Sequence, residues 1–196
     1  MNRKIFNFFF AFFLIFQSES QAVNPSDFVQ SAVNRASEIL KQNISKDEKM
    51  GKIELIAEEV VDIKGIAYYS LGSHRKSLST EKKGEYFIVF KKYFLKSFSS
   101  RLSEYTDPKI NVLSEEVINK KYTIVKSVLQ ADEKRPEIKI DWRVYTINPE
   151  EPLVRDLIIE GLSLARTQRE EFNSIIQNGD GKIEVLFSNL REFIEN

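Results

Sequence analysis

Residues 154–172 read VRDLIIEGLSLARTQREEF, and the reading of this stretch decides how the chain is built. Val154 to Ile159 has the length and apolar, β-branched character of a buried strand, whereas Leu164 to Phe172 is a charged segment of helical composition. Only Glu160-Gly161-Leu162-Ser163 lies between them. The spacing therefore predicts a strand over 153–162 that turns directly into a helix reaching about Gln177. Gly161 tolerates backbone conformations closed to other residues and keeps the rim of the turn free of a side chain, and Ser163 is a good helix N-cap. Because strand side chains alternate, Leu157 and Ile159 share the face of Gly161. What that face meets is the central question.

Three more strands precede this one, at about 109–119, 121–131 and 137–147, where the apolar period is two. Ile138, Ile140, Trp142 and Val144 alternate with Lys139, Asp141, Arg143 and Tyr145. Thr123, Val125, Ser127, Leu129 and Ala131 form the uncharged face of the strand before it. The connecting turns are short, which implies an antiparallel meander with one face inward. Upstream, Asn24-Pro25 opens a helix to about Gln42, Ser45 caps a second, and Ile63 to Leu71 forms a third that stops at Gly72. Ser79 and Thr80 begin a long helix to about Leu102 with the stripe Phe87, Phe90, Phe94, Phe98 and Leu102. Gly179-Asp180-Gly181 separates the penultimate helix from a last one carrying Ile183, Leu186, Phe187, Leu190 and Phe193. Helices, then a meander, then helices make an α+β domain with helices covering one face of a four-stranded antiparallel sheet.

The N-terminus has the pattern of an export signal. Arg3 and Lys4 precede a run from Ile5 to Phe16 that is apolar except for Asn7, and Ser20-Gln21-Ala22 suits signal peptidase. That run is shorter than the roughly 20 residues a spanning helix needs. Residues 1–22 are therefore expected to be a cleaved signal peptide, with 23–196 a single domain. Cleavage leaves 27 basic against 28 acidic residues, which gives no general attraction to nucleic acid or anionic membrane. The absence of cysteine excludes a disulfide scaffold, a thiolate metal site and a cysteine nucleophile.

Chemistry-bearing motifs are sparse. His74, the only histidine, has no second histidine to share a metal and reads as a solvated surface residue. Asp141, Asp156 and Glu160 lie on neighbouring strands, where they form either a carboxylate pair for acid–base work or, as the simpler reading, cross-strand ion pairs with Lys139 and Arg143. Lys91, Lys92 and Lys96 lie on the long helix, where they are either a solvated face or a contact for acidic partners.

Three stretches together carry a family resemblance. The first is Ser70-Leu71-Gly72 with Lys76-Ser77-Leu78-Ser79 and Tyr86-Phe87, Phe90 and Tyr93-Phe94. The second is Ile138-Lys139-Ile140-Asp141-Trp142, and the third is Asp156 with Glu160-Gly161-Leu162-Ser163-Leu164, Arg169 and Phe172. In order and spacing the chain resembles the MlaC-type, or toluene-tolerance auxiliary, periplasmic lipid-binding proteins. It departs from them at the two-proline turn before Leu153 and Val154, where the family usually has a Gly-containing hairpin and a tryptophan.

The resemblance implies an NTF2-like cone, in which helices wrap a curved antiparallel sheet around an internal apolar pocket. It implies a monomeric periplasmic phospholipid carrier that maintains outer-membrane lipid asymmetry. Its partners would be an outer-membrane MlaA-type lipoprotein and an inner-membrane MlaD-type ABC transporter complex, each bound transiently. No catalytic activity, metal or cofactor is implied. Rival readings are a carrier of another lipid such as a hopanoid, a small-molecule enzyme on the same cone, and an interaction module that docks a partner helix on its apolar stripe.

Shielding acyl chains requires apolar groups that face one another without filling the space between them. Face assignment then selects Phe90 and Phe94 of the long helix, and Val125, Leu129, Ile140, Trp142, Leu157, Ile159 and Leu162 of the sheet and its terminal turn, as the lipid-binding residues.

Overall fold

The computed structural model describes residues 22–133 and 135–196. Except for Ala22, the expected signal peptide lies outside them. The chain forms α1 (Pro25–Lys41), α2 (Lys46–Val60), α3 (Ile63–Ser70), a 3-10 turn (Gly72–Lys76) and α4 (Thr80–Leu102). Next come β1 (Ile110–Asn119), β2 (Tyr122–Leu129), β3 (Ile138–Tyr145), β4 (Leu153–Ile159) and β5 (Leu162–Ser163), then α5 (Leu164–Asn178) and α6 (Ile183–Glu195). The strands are antiparallel neighbours in the order β1-β2-β3-β4-β5.

Helix starts follow from side chains that satisfy free backbone N–H groups. Asn24 accepts from the Asp27 N–H at 3.1 Å, and Pro25 occupies the first turn. Ser45 and Glu48 form a reciprocal capping box at α2. Asp62 and Ser79 cap α3 and α4 by accepting from the Gly65 and Lys82 N–H groups.

The sheet has five strands where four were expected. The sequence 153–162 does not run straight into the helix. Glu160 and Gly161 both take positive φ, 48° and 82°, the backbone of a two-residue hairpin turn whose twist suits a β-ribbon. The chain reverses there and pairs Leu162 with Ile159 and Ser163 with Ile158 before α5 begins. Space is not the reason for glycine at 161, because an added Cβ would meet nothing within 4 Å. Its positive φ is.

A buried carboxylate then secures the join. Asp156 is only 3% exposed. It accepts from the Ser163 hydroxyl at 2.6 Å and the Ala165 N–H at 2.9 Å, and the Arg143 guanidinium lies 3.3 Å away. Ser163 in turn accepts from the Arg166 N–H. Asp156 thus holds the first turn of α5 against β4.

Apolar packing is divided between two layers. α4 packs chiefly on α2, α3 and α6, and its Tyr86, Val89, Phe90 and Leu95 join Phe172 and Ile176 of α5 and Leu186, Phe187 and Leu190 of α6. Phe90 contacts Phe172 edge-on at 6.1 Å between centroids. α1 lies between α2 and the sheet, with Val29 and Val33 against Val125 and Val144. The layers meet where Asp62 accepts from Arg155 Nε at 2.6 Å, while Val61 forms a parallel bridge to Val154.

Replacing Asp156 with Ala would leave the Ser163 hydroxyl, the Ala165 N–H and Arg143 without their shared acceptor. We expect a loss of about 3 kcal/mol in unfolding free energy, read by urea denaturation. An effect under about 1 kcal/mol would mean that the join is held by apolar packing alone.

Candidate functional site

The antiparallel register places apolar side chains in rows across one sheet face. Thr123, Val144 and Val154 form one row, and Val125, Trp142 and Leu157 the next. Ser127, Ile140, Ile159 and Leu162 form a third, and Leu129 stands opposite Ile138. α1 packs on Val144 of the first row and on Val125 and Trp142 of the second, and Val61 pairs with Val154. Towards β4 and β5 the cover thins. Val125 is fully buried, Leu157 and Ile159 are half-buried, and Leu162 at the hairpin is 60% exposed.

Polar groups on this face are satisfied internally. Trp142 donates from Nε1 to the Ser127 hydroxyl at 2.9 Å, and Ser127 donates to the Ile140 carbonyl at 2.9 Å. Among the described residues no buried side-chain nitrogen or oxygen lacks a partner. Such a face offers apolar contact without hydrogen-bonding demands of its own.

Seven of the nine residues selected from the sequence, Val125, Leu129, Ile140, Trp142, Leu157, Ile159 and Leu162, lie together on this face in the expected register. Phe90 and Phe94 lie elsewhere, in the helical core. Phe90 is fully buried against Tyr86, Tyr93, Phe94 and Phe172, and half-buried Phe94 stacks on Phe98 at 5.7 Å. Helical periodicity identified an apolar stripe but not the element that stripe would pack against.

The carboxylates do not converge. Asp141 stands opposite Ile158, Asp156 opposite Arg143, and Glu160 sits in the exposed turn, where it accepts from the Lys139 N–H. The ion-pair reading holds for Asp156, with burial and the added role of anchoring α5, which the Ser163-to-Ala165 context alone did not reveal. Lys91 pairs with Glu58 at 2.8 Å and Lys96 donates to the Ile194 carbonyl at 2.9 Å, so two of the three noted lysines have partners within the fold. His74 sits at the surface, partly covered, and its Nε2 meets the Asn173 side-chain oxygen at 3.1 Å. Among the described residues no group of three or more His, Cys, Asp or Glu could hold a metal ion.

Fold and face together define an α+β protein in which a helical layer stabilises the domain and a graded apolar sheet face runs to an open edge. The same fold occurs in a phospholipid-binding protein from Ralstonia solanacearum, solved in complex with a phospholipid. The match has a TM-score of 0.73 and 17% sequence identity, and covers 88% of this chain and 98% of that one. Among curated proteins there is no match. A family model described as MlaC protein matches residues 30–192, and the chain belongs to the MlaC family.

Gly161 positions Leu162 at the end of the third row. Substitution by Ala should cost about 1 kcal/mol, because φ near 82° strains an L-residue, while Asn should cost less. Thermal melting of both variants checks this; equal stabilities would show that the turn relaxes to another conformation.

Proposed function

We propose that this protein binds phospholipid and carries it across the periplasm. It would exchange lipid with an outer-membrane MlaA-type lipoprotein and an inner-membrane MlaD-type ABC transporter complex, and so maintain outer-membrane lipid asymmetry. Residues 1–22 would direct export and be removed, leaving 23–196 as a monomeric lipid-binding domain. The observation that carries the reading is the in-register apolar face, open towards β5, in a member of the MlaC family. The fold shared with a protein that holds phospholipid supports it further.

The physical task sets the design. Exposing about 28 methylenes of a diacyl lipid to water costs on the order of 20 kcal/mol at roughly 0.8 kcal/mol each. A carrier must cover most of that surface while the headgroup stays wet. In this reading the acyl chains lie along Trp142, Leu157, Ile140 and Ile159, entering past Leu162, with the α4 rings Phe90 and Phe94 backing the helical layer. The sheet cluster and the α4 cluster are separate, so a chain lying along the sheet face need not disturb the packing of the helical core.

Organic-solvent extraction of the purified periplasmic protein, followed by mass spectrometry, should recover about one phospholipid per chain. Recovery of a hopanoid would redirect the reading to another lipid, and no lipid would reject it. Ile159→Glu places a carboxylate on the apolar face and should lower lipid occupancy by about tenfold with the circular dichroism unchanged. Trp142 is the only tryptophan, so delipidation should also shift its fluorescence to the red. Full occupancy in Ile159→Glu would remove that residue from the binding surface.

A further inference from the structure

A concavity of about 430 Å³ lies away from the sheet face, between α3 with its following 3-10 turn and one side of α5. Arg166, Arg169, Glu170 and Asn173 line it from α5 at spacings of three and four, on a side of the helix that flanks the buried Phe172 and Ile176. Tyr69, Leu71, Gly72 and Ser73 form the opposite wall.

Arg169 is held in place without a counter-charge. It makes no ion pair among the described residues, and its guanidinium carbon lies 5.3 Å from the centre of the Tyr69 ring. Main chain closes on its other side at Gly72, where φ is +56° and an added Cβ would come within 2.9 Å of Arg169 Nε. Among the described residues the Arg166 side chain is tied only to Glu170, at 2.9 Å, with both side chains about two-thirds or more exposed. Such an i,i+4 pair is worth about 0.3–0.5 kcal/mol, so a stronger anion displaces it readily.

Neutral donors complete the setting. Asn173 uses its side-chain oxygen on His74, which leaves its amide NH2 to donate, and the Ser73 hydroxyl has no partner among the described residues. Two guanidinium groups oppose one carboxylate, and Arg75 and Lys76 of the same turn add positive charge nearby.

We infer that this cleft binds the oxyanion of a phosphate ester. Paired guanidinium forks match phosphate oxygens bidentately. The volume exceeds that of a bare phosphate, and the exposed Tyr69 offers apolar surface to a small organic group attached to it. The ester belongs either to a soluble phosphate monoester or to the diester of a lipid headgroup. The inference does not depend on the carrier reading, because none of these residues lies on the apolar sheet face.

Amide NMR of the purified protein at low salt tests it, with sn-glycerol 3-phosphate as the monoester, sn-glycero-3-phosphoethanolamine as the diester, and glycerol as the neutral control. Saturable shifts at Gly72, Ser73 and Asn173 are expected with at least one ester and none with glycerol. Arg166→Gln combined with Arg169→Gln should weaken binding by about tenfold or more without changing the fold. Tighter binding of the monoester assigns a soluble ligand; equal or tighter binding of the diester assigns a headgroup. No saturation with either ester, or unchanged affinity in the double variant, overturns the site. Lipid content of the protein as purified, measured by extraction, separates the two proposals when the titration is run on delipidated protein: protein that arrived lipid-loaded but ignores both esters once delipidated fails this one alone, and protein that arrived lipid-free but binds an ester fails only the carrier reading.

Discussion

The geometry of the molecule turns on a carboxylate taken out of water. Burying Asp156 carries a desolvation cost of several kcal/mol, which is offset only because its oxygens meet a hydroxyl, a backbone N–H at the start of a helix and a guanidinium. The N-terminal end of the helix dipole adds to that stabilisation. Having been placed, Asp156 fixes the direction in which α5 leaves the sheet. That direction brings Phe172 and Ile176 into the helical core and leaves the Ile159–Leu162 turn at the open end of the apolar face.

A second polar clamp completes the frame. Asp62 caps α3 with one oxygen and binds Arg155 with the other, while Arg155 lies 3.4 Å from the centre of the Tyr145 ring. The register shift in β4 between the partners of Arg143 and Val144 releases Arg155 from the ladder to make these contacts. Val61 and β5 between them occupy the outer side of β4, so that edge is not left bare. The adjacent β4 residues Arg155 and Asp156 thus tie this strand to α3 and to α5 by polar contacts, which leaves the apolar sheet face free of that task.

That division of labour fits the proposed carrier. An ordinary core is packed to the density of an organic crystal and has no room for cargo. Here the aromatic cluster of α4, α5 and α6 supplies a packed core, while the sheet face has its own satellite cluster with α1. The graded exposure from Val125 to Leu162 then provides apolar surface that the fold does not itself consume.

Much was legible in the order of residues alone. The helices, their caps, the meander and the shared face of Val125, Trp142, Leu157 and Ile159 all follow from local periodicity and capping chemistry, which act over a few residues. The fifth strand was hidden because a two-residue turn and two paired residues leave no periodic trace, and only the ladder to Ile158 and Ile159 defines them. Phe90 and Phe94 were assigned to the wrong neighbour for a related reason: a helical stripe says that a face is buried, not which distant segment buries it. The burial of Asp156, the clamp between Asp62 and Arg155 and the cleft beside Arg169 join residues far apart in the chain. They were decided by tertiary packing, because electrostatic and steric partners of that kind exist only once the layers have docked.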